Sequence, residues 1–286
     1  MQVTANNIQI EVQISGPENG PVILLNRGLG SQLTTWPEAF CEGLAGDGYR
    51  VIRFDNRDCG LSQKMGRCET DNVIPEPSYN LYDMAADTVG VLDALKIERA
   101  HILGCSMGGM IVQIVAAKFP ERVISLTSIM SSGGEADPTR SGTPEVSGGL
   151  TALWPASSDR EAIIAKFMSE YFLYGTRTYR LSKAEVLPFV IKDMERCYCP
   201  GGYLRQYAAL KSLVDRQDEL KSIICPALII HGDEDFLLPV SCGERAAELI
   251  PGATFKLIKG MGHDMPGPVL AEINAYVHAH CQRAGN

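Results

Sequence analysis

Gly104-Cys105-Ser106-Met107-Gly108 sets a serine between two glycines in a G-x-S-x-G pattern. A serine hydroxyl attacks an acyl carbon only when a base takes its proton, and that base needs an acid to orient it. The pentapeptide follows the apolar run Ala100 to Leu103 and precedes the helix-forming segment Gly109 to Phe119. A serine on a sharp turn from strand to helix projects its hydroxyl above the sheet, and the flanking glycines permit the cramped backbone. By itself the pattern also fits an ordinary Gly/Ser turn. The strand before it and the helix after it select the nucleophile. Cys105 adjoins Ser106 but is expected behind the tip of the turn.

The chain has five histidines, so the base can be sought by elimination. His101 begins the strand that leads into the turn and points away from its tip. His278 and His280 fall in a helix-forming tail, Val269 to Cys281. His231 closes the apolar run Ala227 to Ile230, near a strand tip. His263 lies in Gly260-Met261-Gly262-His263-Asp264-Met265-Pro266, a loop after the strand-forming Thr254 to Ile258. Loops at strand ends carry catalytic side chains, which makes His263 the expected base.

The acid should lie between serine and histidine if the order is Ser…Asp…His. Gly232-Asp233-Glu234-Asp235 follows the Ala227 to Ile230 strand directly. Asp235 is further out and can reach the next loop, so it is the expected acid. Asp233 is the alternative, with a competing role of bracing the turn through backbone amides. Glu234 is expected to be solvated.

Strand and helix signals alternate around these motifs. Ile8 to Ile14, Val22 to Leu25, Arg50 to Phe54 and Val123 to Ile129 read as further strands. Tyr79 to Leu95 has apolar residues at helical spacing, and Pro37 to Ala45 reads as a helix. Such alternation predicts an α/β fold, a mostly parallel central sheet flanked by helices. Ligands bind such sheets beyond the carboxyl ends of the strands, where all three motifs lie. The stretch from 131 to 220 breaks the pattern. It opens rich in Gly, Ser and Pro, continues into the helix-forming Asp159 to Phe172 and Lys183 to Glu195, and lacks strand candidates. It is read as a helical cap on a core made of 1–130 and 221–286. Most of its aromatic residues, from Trp154 to Tyr207, are expected to pack the cap onto itself, with a minority facing the serine. Met107, Met110, Met261 and Met265 are candidates for the same lining.

The chain resembles α/β-hydrolase-fold esterases over nearly its whole length. The resemblance rests on Asn26-Arg27-Gly28-Leu29-Gly30, Asp55-Asn56-Arg57-Asp58-Cys59-Gly60-Leu61-Ser62, Gly104 to Gly108, Gly232 to Asp235 with Pro239, and Gly262-His263. The Asp-x-Arg-Asp-x-Gly-x-Ser segment is similar to the group containing aclacinomycin methylesterase and many bacterial esterases. The resemblance implies Asp235, the second aspartate of Gly-Asp-x-Asp, as the acid. It implies the backbone amides of Met107 and Leu29 as oxyanion donors. The chain departs from the usual His-Gly of that loop with Arg27-Gly28, which leaves a backbone donor intact. The implied activity is hydrolysis of small to medium, fairly apolar carboxylic esters, with no metal or organic cofactor. Rival readings on the same triad are a cofactor-free perhydrolase or a lactonase. A ligand receptor without catalysis is a more distant one. Arg57 and its neighbouring aspartates are expected to form a structural ion-pair and turn network.

A 286-residue chain suits one large domain or a core with an inserted cap. Its net charge of −8 and lack of a basic run exclude nucleic acid as an expected partner. Nothing at the start resembles a signal segment and no stretch is apolar enough to span a bilayer, so no membrane partner and a cytoplasmic setting are expected. Nine scattered cysteines lack the paired spacing of a zinc site and are expected to be reduced thiols. Oligomeric state, acyl preference and alcohol preference are not legible.

Overall fold

The computed structural model describes residues 1–285. In chain order the first elements are β1 (Gln2–Ala5), β2 (Ile8–Ser15), β3 (Val22–Asn26), α1 (Glu38–Gly46), β4 (Arg50–Phe54) and α2 (Leu81–Ala94). Next come β5 (Ala100–Cys105), α3 (Met107–Lys118) and β6 (Val123–Ile129). Five helices follow without an intervening strand: α4 (Pro144–Gly149), α5 (Arg160–Tyr174), α6 (Lys183–Arg196), α7 (Pro200–Lys211) and α8 (Gln217–Lys221). The chain then returns through β7 (Ala227–Gly232), α9 (Val240–Leu249), β8 (Thr254–Ile258) and α10 (Leu270–Ala284).

The eight strands form one sheet in the order β1-β2-β4-β3-β5-β6-β7-β8. The pairings of β1 with β2 and of β2 with β4 are antiparallel, and every other pairing is parallel. β1 is an addition to the strands read from sequence. Its four residues are too few to show a period, and the hairpin turn places Asn6 and Asn7 at φ 48° and 64°, a region asparagine tolerates.

β5 and β7 are buried at every position, as central strands covered on both faces must be. Alternation along β3 sorts the two cores. Leu24 packs with Ile102 and Leu126 against α2 and α3. Ile23 and Leu25 pack with Leu103 and Ile230 against Phe40 and Leu44 of α1 and Ile273 and Val277 of α10. α2 starts two residues later than its apolar spacing suggests because Asn80 caps it. The Asn80 side chain accepts from the Asp83 amide while Asp83 reaches back to the Asn80 amide.

One buried histidine ties α10 to the sheet and another joins β5 to β6. His280 Nε2 donates to the Leu126 carbonyl at 3.1 Å, and His101 Nδ1 meets Ser125 Oγ at 2.9 Å. Burial pushes both imidazoles down to about 4. In the unfolded chain they titrate near 6.5, so their neutral forms contribute full stability above about pH 6.5. That contribution is lost as the pH falls through the folded value, with a combined effect on the order of a few kcal/mol by pH 4. The melting temperature is expected to fall as the pH drops from 7 to 5. In a His101→Asn, His280→Asn variant it should start lower and fall less. Parallel curves would refute the assignment.

The helices between β6 and β7 build a third apolar cluster around Trp154, Tyr203 and Tyr207. Ion pairs tie this insert to the sheet, and they correct the expected local network around Arg57. Asp55 pairs with Arg196 of α6 at 2.7 Å, and Asp58 pairs with Arg205 of α7 at 2.6 Å. Arg57 turns the other way, to Asp87 of α2 at 2.6 Å, beneath the face of Tyr79. The aspartates sit at the carboxyl end of β4, directly under the insert, and cannot be left buried without cations. A disulfide joins Cys68, in the loop before α2, to Cys199 at the start of α7. This corrects the expectation of nine reduced thiols: these two are paired and seven remain free. The pair is 131 residues apart in sequence, so spacing carried no hint of it. Among the described residues, no helix is long and apolar enough to cross a membrane.

Candidate active site

β5 ends at Cys105 and α3 begins at Met107, so Ser106 alone makes the turn, at φ 55° and ψ −124°. A non-glycine residue there is strained, and surrounding packing must hold it. Ser106 N donates to the Ile129 carbonyl at 3.0 Å, and Ser131 Oγ donates to the Ser106 carbonyl at 2.7 Å. The flanking glycines are required by space. A Cβ on Gly104 would lie 2.2 Å from the Gly108 carbonyl oxygen, and one on Gly108 would lie 2.2 Å from that of Asn26.

His263, in the loop after β8, brings Nε2 to 2.8 Å from Ser106 Oγ. Its Nδ1 lies 2.7 Å from Asp235 Oδ2, in the loop after β7. A carboxylate at Nδ1 selects the tautomer with the proton there, leaving Nε2 free to accept from the serine. The insert steadies this loop, because the His263 amide donates to the Tyr174 carbonyl at the end of α5 at 2.9 Å. The second oxygen of Asp235 accepts from the Leu237 and Leu238 amides at 3.0 and 2.9 Å. Burial raises the Asp235 carboxyl, but the His263 charge and hydrogen bonds from His231 and His263 outweigh it and hold it near 2.

The neighbouring carboxylates have other work. Asp233 is exposed and accepts from the Gly260 amide at 2.7 Å, beside Lys259 at 3.1 Å. It braces the two loops against each other. Glu234 is not simply solvated, contrary to expectation. It accepts from the Arg177 and Thr178 amides at 2.8 and 2.9 Å, anchoring the turn between α5 and α6.

Met107 is the first residue of α3, and Leu29 follows the β3 strand by three positions. Among the described residues neither amide has a hydrogen-bond acceptor. Gly28 brings the Leu29 loop against the serine, since a Cβ there would lie 3.1 Å from Ser106 Cβ.

Above these groups lies a cavity of about 570 Å³. Ser106, His263 and Leu29 line it, with Trp154, Phe167, Tyr171, Tyr174, Phe189 and Tyr203 from the insert. Most of the aromatics named from sequence therefore line the cavity, where a minority was expected. The side chains that pack the insert helices together also form the concave wall. Met110 and Met265 line it too, while Met107 and Met261 are buried in the cores beneath. A second depression, of about 670 Å³, runs along α6 past Leu187 and Ile191, and Ser106 does not line it.

A family model described as alpha/beta hydrolase fold matches residues 21–266. The chain belongs to the alpha/beta hydrolase fold family. Rhodomycin D methylesterase of Streptomyces sp. (strain C5) is 28% identical, over 95% of this chain and 94% of that protein. 3-Oxoadipate enol-lactonase 2 of Acinetobacter baylyi is 24% identical, over 90% of this chain and 87% of that protein. Among solved structures, the meta-cleavage product hydrolase of Pseudomonas fluorescens IP01 superposes with a TM-score of 0.80 at 22% identity, covering 100% of this chain and 98% of that one. At that identity the superposition speaks for the fold alone.

Two further residues at this α/β-hydrolase site receive no role from sequence, although His231 is placed near a strand tip. Gln206 of α7 is fully buried, accepts from the Gly30 amide at 2.8 Å and donates to the Arg57 carbonyl at 2.6 Å. It holds the Leu29 loop from above. A glutamine among Tyr203, Leu204 and Tyr207 is the only hint, because a polar side chain inside an apolar stripe needs a partner. His231 lies 3.5 Å from Asp235 Oδ2 and bonds the Leu238 carbonyl at 2.7 Å, backing Asp235 from behind.

Proposed function

We propose that the protein hydrolyses carboxylic esters through an acyl-enzyme on Ser106. The observation that carries this is the unbroken hydrogen-bonded chain from Ser106 through His263 to Asp235. In this reading Ser106 Oγ attacks the ester carbonyl while His263 Nε2 takes its proton. Asp235 holds the imidazole and stabilises its cation. The Leu29 and Met107 amides bind the oxyanion, each worth about 3–4 kcal/mol of barrier. His263 then protonates the leaving alkoxide. Water, activated by the same base, attacks the acyl-serine and releases the acid and the free hydroxyl. No step needs a metal or an organic cofactor.

Residues 131–220 serve as the cap in this proposal, over a core of 1–130 and 221–286. The aromatic side chains that the insert contributes to the cavity support small to medium, fairly apolar esters. A cytoplasmic setting is proposed with it; seven unpaired cysteines support it, while the Cys68–Cys199 disulfide counts against it. Lactone opening is a second reading, favoured by the enol-lactonases among the relatives.

A fluorophosphonate probe tests the nucleophile directly. It is expected to add to the peptide carrying Ser106 in the wild-type protein, and mass spectrometry should find no adduct in the Ser106→Ala protein. An adduct on Cys105, or none at all, would overturn the assignment.

A further inference from the structure

Two cations line the Ser106 cavity, Arg27 and Lys192. Lys192 is exposed on α6 and keeps its hydration. Arg27 is half-buried immediately before the Gly28 contact with Ser106. Its guanidinium lies over the Trp36 ring at 5.0 Å, and its Nε donates to Thr35 Oγ1 at 2.9 Å. These contacts fix the plane of the guanidinium but leave its terminal amino groups without a charged acceptor.

None of the four carboxylates on the cavity wall, Glu38, Glu170, Asp193 and Asp264, forms an ion pair with Arg27. Glu38 pairs with Arg53 at 2.8 Å, and Glu170 pairs with Lys166 at 2.8 Å. Asp193 accepts from Thr34 at 3.2 Å, and Asp264 accepts from the Thr176 amide at 2.9 Å, near enough to feel the Arg27 charge but not in contact with it. The Cys105 thiol is the other neighbour. Burial pushes it up to about 11 despite the adjacent guanidinium, so it supplies no counter-charge. A half-buried arginine with no anion in contact is costly, and its planar fork matches a carboxylate in bidentate fashion.

We propose that Arg27 recognises a carboxylate on the substrate, so that the preferred esters carry a free carboxylate a short chain away from the scissile carbonyl. The inference rests on the ester-hydrolase reading and narrows its substrate class. A fixed cation with no ion-pair partner, beside the nucleophile, favours an acidic ester over its neutral counterpart. The carboxylate does not react, so its loss should raise KM more than it lowers kcat.

Two pairs of substrates test this and distinguish where the carboxylate sits. Monoethyl succinate against diethyl succinate places it on the acyl side. O-Acetylglycolate against its methyl ester places it on the alcohol side. In at least one pair the wild-type protein is expected to favour the acid by tenfold or more in kcat/KM. Arg27→Gln should bring that ratio towards one, mainly through KM, and Arg27→Lys should restore part of it. No preference in either pair would overturn the proposal, and that comparison needs no variant to fold. So would a preference that survives Arg27→Gln. Calorimetric binding of succinate to the Ser106→Ala protein separates the two readings, because it needs no turnover. Succinate binding that Arg27→Gln abolishes, in a protein that hydrolyses no ester, would refute the hydrolase and keep the anion site. Ester turnover with no carboxylate preference and no succinate binding would do the reverse.

Discussion

Ser106→Ala is expected to reduce p-nitrophenyl ester hydrolysis by roughly 10⁴- to 10⁶-fold, the loss typical of removing a triad nucleophile. The thermal melt should barely move. The hydroxyl contributes one hydrogen bond, to His263 Nε2, at the wall of an open cavity. The contacts that hold the turn, from the Ser106 amide to Ile129 and from Ser131 to the Ser106 carbonyl, use the backbone and survive the change. Alanine also keeps the strained φ of 55°. Activity that persists in a clean preparation would sink the nucleophile. A large drop in melting temperature would show that the hydroxyl has a structural role.

Asp235→Asn is expected to lower kcat by roughly 10⁴-fold, as wrong-tautomer substitutions do. The geometry dictates which way the amide will face. Asp235 Oδ1 accepts from two backbone amides, Leu237 and Leu238, so the asparagine oxygen must stay there. Its NH₂ then faces His263 Nδ1. An imidazole that accepts at Nδ1 carries its proton on Nε2 and cannot take one from Ser106. The substitution also removes a carboxylate held near 2. Such a depressed group contributes stability above its unfolded value of about 3.9, and that is lost as the pH falls through the folded value. Asp235 therefore stays ionised throughout the working range and sets no acid limit on activity. Asp233→Asn should leave kcat within a few-fold. It touches neither His263 nor Ser106, and its amide oxygen can still accept from Gly260. Stopped-flow or steady-state kinetics on both variants will decide between them, and the reverse ranking would exchange their roles.

The candidate site was legible to the extent that it depends on local backbone. Gly104 and Gly108 announce a turn whose neighbours leave no room for a Cβ. His263 was reached by elimination because strand ends and loops leave a periodic trace. The choice between Asp233 and Asp235 could not be closed on spacing alone. It depends on which carboxylate reaches across to the next loop, and that distance exists only in the folded chain. Glu234, Gln206 and His231 were misjudged or passed over for a related reason. Their partners lie in the insert, the Leu29 loop and the Asp235 loop, and a polar side chain does not signal a distant partner.

The same boundary runs through the fold. Alternating apolar runs and helical spacing specify strands buried on both faces and helices that cover them, so the parallel α/β architecture follows from residue pattern alone. Hydrophobic burial depends on period and composition, which any contiguous stretch displays. The attachment of the insert does not. Arg196 to Asp55, Arg205 to Asp58 and Cys68 to Cys199 join residues 141, 147 and 131 positions apart. That Arg27 lacks an ion pair is likewise visible only in the folded chain, where none of the cavity's carboxylates makes contact with it. Short-range sterics and hydrophobic period are written in sequence order. Charge pairing and hydrogen bonding across the fold are set by which surfaces meet, and only tertiary structure decides that.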